Sequence, residues 1–128
     1  MGASTLESSS QDKLIAGVMH RVTESVYPVL SGQGVLARGT VVGLVTASSK
    51  LKKIASAAGD GSEAVYGIIA ETVDATSADA SAVVYLSGQF NQAALVFGTG
   101  STIANTKADA RTKGIFYTVV GNNDSVAP

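Results

Sequence analysis

Three carboxylates, Asp60, Glu63 and Glu71, fall in the stretch GDGSEAVYGIIAETV, and Asp74 and Asp79 follow in DATSADAS. Carboxylates grouped in this way can ligate a hard cation through oxygen or divide the work of proton transfer between them. The spacing supports neither. DATSADASA lacks the D-x-[DN]-x-[DN]-G order of a calcium loop, and glycine on both sides of Asp60 marks a turn. His20 is the only histidine and cysteine is absent, which removes multi-histidine and thiolate metal sites within one chain. A Ser–His–Asp arrangement would have to recruit His20 from a segment expected to be loosely ordered, whereas a catalytic group must be held rigidly. There is no G-x-S-x-G, and the glycine loops SGQG and GTGST match neither G-x-x-x-x-G-K-[ST] nor G-x-G-x-x-G. No catalytic, cofactor-binding or metal-ligating residue is assigned, no cofactor is implied, and an enzyme is the least favoured class.

Lys50, Lys52 and Lys53 form the one basic cluster. With a net charge of −1 and no aromatic side chains interleaved with the lysines, the cluster lacks both the field and the stacking platform of a nucleic-acid site. It reads as the solvated face of a hairpin, where lysine also discourages edge-to-edge pairing.

Glycine-punctuated, Val-rich segments must position these residues. VLARGTVVGLVTA is a strand interrupted at Gly39 and Gly43, by a bend, a bulge or close backbone approach. Its stretch Val41 to Thr46 pairs with KLKKI across the turn Ala47–Ser49. AVYGIIAETV is a buried strand. AVVYLSGQFN, residues 82–91, is the clearest strand and is apolar on both faces near its start. In the loop between them, Thr76 with Asp79 could cap a single helical turn. IANTKADARTKG is a short helix with cations toward its C-terminal end and Gly114 as its terminator, and IFYTVV, residues 115–120, is a closing strand. These elements predict a mainly β, single-domain, barrel- or sandwich-like fold with one short late helix.

The ends differ from the middle. MGASTLESSSQD is small and polar, and the following KLIAGVMHRVTESVYPVL is β-branched with a loose period of two. This is either a strand-adding arm that pairs with a partner's sheet or an ordinary first strand with a frayed end. The predicted organisation is an arm over residues 1–30, a β-rich domain over 31–120 and a polar tail over 121–128. Aromatic residues make up 5% and tryptophan is absent, so the core is thin and further burial between subunits is expected. No apolar run approaches the ~20 residues needed to span a bilayer, and a reducing cytoplasm suits a chain without cysteine. Neither membrane nor nucleic acid is an expected partner.

The run from Gly32 to Phe90 resembles the head decoration proteins of tailed bacteriophages, the lambda protein D-like family. Leu36, Gly39, Thr40, Val41 and Gly43 match its L-x-x-G-T-V-x-G strand pair, and Asp60-Gly61-Ser62 match its D-G-S turn. GIIAETVDA from Gly67 to Ala75, and Ala82 to Gly88 as A-V-V-x-x-x-G, follow in the family's order. ARTKGI matches the end of the late helix in part, so the resemblance covers about residues 31 to 118. QFNQAALVFGTGST departs from the family's aromatic- and proline-containing version.

The resemblance implies a non-enzymatic structural protein of the virion, made in the host bacterial cytoplasm. It implies homotrimers on the outer surface of the mature, expanded capsid, at three-fold and quasi-three-fold positions, reinforcing the shell against packaged DNA. It also implies an N-terminal arm ordered by pairing with the major capsid protein. Leu14, Ile15, Val18, Val22, Val26 and Tyr27 are the expected capsid-contacting residues of that arm. The alternative is a small β-barrel binding module or virion adhesin recognising a glycan or host surface protein.

Overall fold

The computed structural model describes residues 14–17 and 21–119. The polar start, Val18, His20, Val120 and the 121–128 tail lie outside the described residues. The described chain is mainly β, with nine strands, one 3₁₀ turn and one α-helix. The strands are β1 (Ile15–Gly17), β2 (Thr23–Val29), β3 (Gly34–Leu36), β4 (Val41–Val45), β5 (Lys50–Lys53), β6 (Gly67–Ile69), β7 (Val73–Ala75), β8 (Ala80–Asn91) and β9 (Ile115–Thr118); the helix is α1 (Ile103–Thr112). Several strands are only three residues long.

β8 organises the molecule. Its first part pairs antiparallel with β2, from Val29↔Ala80 to Thr23↔Ser87, and with β6 through Ile68↔Tyr85 and Ile69↔Val84. Its last part pairs antiparallel with β1 and parallel with β9. β6 continues to β4, β4 to β5, and β5 returns to β2 by the single parallel pair Val29↔Leu51. The pairings therefore close a five-stranded circuit, β2–β8–β6–β4–β5–β2. β3 and β7 form a separate two-stranded sheet.

Two apolar clusters fill the fold. One gathers Val29, Leu36, Val42, Leu51, Ile69, Ala75, Ala82 and Val84. The other gathers Leu14, Val41, Ile54, Val65, Ile68, Phe90, Ala110, Ile115 and Tyr117. Val41 and Val42, like Ile68 and Ile69, point to opposite clusters, so β4 and β6 are buried on both faces. This accounts for their near-continuous apolar sequence where a one-sided strand would alternate.

The hairpin forms, but its register is one residue off the expected one: Val42 stands opposite Lys53 and Val45, not Thr46, opposite Lys50, because the Thr46 amide bonds the Asp60 carbonyl and Thr46 joins the turn. Gly43 marks a close approach within β4: a Cβ there would lie 2.5 Å from Ser62 Cα and 2.6 Å from its carbonyl carbon. The late helix also forms, ending at Lys113 with Gly114 in the left-handed region at φ +84°. Its start is fixed by a capping box, in which Thr102 and Asn105 each bond the other's backbone N–H. Asn in place of the usual Glu or Gln hides that signal in the sequence.

Two expectations are corrected. Thr76 and Asp79 do not cap a helical turn. Asp74 lies closer and takes both the Thr76 amide (3.0 Å) and its hydroxyl (2.6 Å) in a local turn. AVYGIIAETV is paired as a strand only over Gly67–Ile69 and again, in the other sheet, over Val73–Ala75. Val65 before it is buried, but its amide is tied to a side chain and not to a sheet.

Candidate functional site

The carboxylates singled out by sequence do not converge. Asp60 Oδ1 accepts from the Ser62 amide (3.0 Å) and hydroxyl (2.5 Å), and Oδ2 accepts from Lys52 Nζ (3.0 Å). The Ser62 hydroxyl, then its amide, then Lys52 hold the Asp60 carboxyl far below the usual carboxylate range. Glu63 accepts from the Gly61 amide (2.9 Å), within the same turn. Asp79 accepts from the Ser31 amide (2.8 Å) and pairs with Lys50, which lowers its pKa with the lysine contact as the leading cause. Each of these groups fastens a loop. Among the described residues, no group of three or more His, Cys, Asp or Glu side chains could hold a metal ion.

Lys50 and Lys52 are therefore ion-paired, and Lys53 is half-buried on β5. The third pair, Lys113 with Asp109 (2.8 Å), is part of a clamp. Asp109 Oδ2 accepts the Val65 N–H (2.7 Å), and Lys113 Nζ donates to the Val65 carbonyl (2.7 Å). Together the two side chains do for Val65 what a neighbouring strand would do, and they fasten α1 to the segment before β6.

The expected contact residues of the N-terminal segment divide into two sets. Leu14 is 2% exposed in the core, and its carbonyl accepts from the Asn91 amide. Ile15 packs against the same cluster. Tyr27 packs edge-on against Tyr66, with their hydroxyls 2.6 Å apart. That bond and partial burial push the Tyr66 hydroxyl up to about 12. Val22 and Val26 are exposed, at 37% and 64%. Val18 lies outside the described residues. The proposed boundary at residue 30 follows a strand that pairs along its whole length with β8.

One surface was not singled out by sequence. Glu24, Val26 and Pro28 of β2 stand opposite Tyr85, Val83 and Ser81 of β8, so these six share one face. Their neighbours Tyr27, Val29, Ala82 and Val84 turn to the core. A solvated antiparallel face is ordinarily polar, but this one carries Val26, Pro28 and Val83. Beside them Tyr85 lies under the Arg38 guanidinium, 5.5 Å from the ring centre, and Arg38 Nη1 donates to the Tyr85 hydroxyl (2.9 Å) and the Ala70 carbonyl (2.6 Å). The signal was the unbroken apolar run AVVY, which supplies both faces of β8 at once.

No curated protein matches the chain. A family model described as bacteriophage lambda head decoration protein D matches residues 5–114, taking in most of the N-terminal segment, α1 and both apolar clusters save Ile115 and Tyr117. That is a family of structural capsid proteins and not of enzymes, and its members associate with the phage capsid as part of the virion. The chain belongs to the bacteriophage lambda head decoration protein D family.

Proposed function

We propose that the protein binds the outer surface of the mature, expanded capsid as trimers at three-fold and quasi-three-fold positions, and stabilises the shell against the pressure of packaged DNA. Its partners in this reading are the major capsid protein and two further copies of itself, after synthesis in the host bacterial cytoplasm. The observation that carries the reading is the family match, which extends through the N-terminal segment. The energetic basis is differential affinity: a protein that binds only the expanded lattice stabilises that lattice by mass action.

The N-terminal segment, with Leu14, Ile15, Val18, Val22, Val26 and Tyr27, is the proposed contact with the shell. Leu14, Ile15 and Tyr27 are gripped by the domain and fix where the segment leaves it. Val22 and Val26 remain exposed, Val22 to meet the shell and Val26 where the shell and an adjoining copy would both be reached. The test is co-sedimentation with empty shells of the same virus, expanded and unexpanded. Saturable binding to expanded shells alone, in multiples of three per site, is expected. Failure to bind either form would overturn the reading.

A further inference from the structure

Two surfaces of the chain carry charges without an ion-pair partner among the described residues, and the charges are opposite. The first is the exposed face of α1. Ala104, Lys107, Ala108 and Arg111 share it by their spacing of three and four, and all are exposed. Neither Lys107 nor Arg111 has an acidic partner among the described residues, whereas Lys50, Lys52 and Lys113 each do. The two cations are also four apart, a like-charge spacing that works against an isolated helix. The second surface is the β2–β8 wall. It carries Glu24 beside the pair formed by exposed Val26 and half-buried Val83, and Glu71 one residue beyond the Ala70 whose amide bonds the Val83 carbonyl. Glu24 and Glu71 are exposed and lack a cationic partner among the described residues.

We propose that the β2–β8 wall of one copy receives the α1 face of the next copy, with Glu24 and Glu71 meeting Lys107 and Arg111 around a contact made by Val26 and Val83. The inference rests on the trimer reading above and deepens it. Two different faces of one chain that complement each other make a heterologous contact, and such a contact closes into a ring when the rotation allows. Ala104 and Ala108 let the helix approach the sheet closely. The valines supply apolar burial at the centre, while the charges set orientation more than affinity.

Carbodiimide cross-linking tests this on the full chain, because the reagent joins a carboxylate to an amine only when the two are in contact. Equal amounts of ¹⁵N-labelled and unlabelled protein would be mixed. They would be treated on expanded shells and, separately, at high concentration without shells, and the linked peptides read by mass spectrometry. The chain's own pairs, Lys52–Asp60 and Lys113–Asp109, serve as internal controls. Mixed-isotope links from Lys107 to Glu24 or Glu71, in either arm, are the expected result. Control links without any such link in both arms would overturn the inference, even with shell binding in threes intact. Absence of shell binding would instead overturn the decoration reading, and the shell-free arm would still decide the contact. As a second readout, K107E/R111E is expected to weaken shell binding at least tenfold, and adding E24K/E71K to restore it. Loss without restoration would also count against the pairing.

Discussion

Asp60 commits both carboxylate oxygens to its own loop and to Lys52. Its folded pKa is depressed, so the stability it contributes is fully present above the ordinary carboxylate value of about 3.9. That contribution is lost as pH falls from there toward the folded value. Asp74, Asp79 and Asp109 shift in the same direction. Asp60→Asn should therefore melt below wild type at neutral pH, and the gap should narrow below about pH 4, as thermal melts across the acid range would show. Gly43 sets a different kind of limit. A methyl group at that position meets Ser62 backbone, which cannot rotate away. Gly43→Ala should cost about 2–3 kcal/mol in chemical denaturation. An effect under about 0.5 kcal/mol, the level of an ordinary surface change, would mean the loop yields.

At the scale of elements, β1 and β2 belong to the sheet that β8 organises, and Leu14 is sealed into a core. Leu14→Ala should cost about 2–4 kcal/mol. Removing residues 1–13 leaves every described contact in place, so that variant should melt like the full chain. Val22→Asp, which alters an exposed residue of the proposed contact, should also fold and should lose affinity for expanded shells; full shell binding by that variant would show that the contact lies elsewhere. The same elements show what could be read in advance. The hairpin of β4 and β5, the long β8, α1 and its terminating glycine were legible because turn residues and periodicity are local properties. The role of residues 14–29 was not. A β-branched stretch with a loose period of two looks the same whether it pairs with its own sheet or with another protein's. Only the tertiary partner, β8, distinguishes the two. The clamp on Val65 was hidden for a related reason, since Asp109 and Lys113 look like an ordinary helical ion pair until the loop beneath them is placed. Of the expected contact residues, the exposed Val22 and Val26 could not be told from the buried Leu14 and half-buried Tyr27, because alternation gives two faces without saying which one is inward.

For the molecule as a whole, a protein that binds one state of a shell should raise that shell's thermal stability in proportion to the logarithm of its free concentration once its sites are filling. Calorimetry of expanded shells titrated with protein would show that slope. A melting temperature unaffected by saturating protein would separate binding from reinforcement. Within the molecule, the five-stranded circuit is held unequally. Four of its junctions are antiparallel ladders, and the fifth is one parallel pair, Val29↔Leu51, continued by the Leu30 amide on the Leu51 carbonyl. A closed ring parts first where it is most thinly joined. Hydrogen exchange at the Leu30 amide should therefore run ahead of the amides in the middle of β8, reporting a small local opening well below the cost of global unfolding. The barrel is in effect a cuff with a clasp. On this expectation β2 is the strand whose far edge parts first, and a neighbour bearing on Val26 would slow exchange at the Leu30 amide by holding that clasp closed.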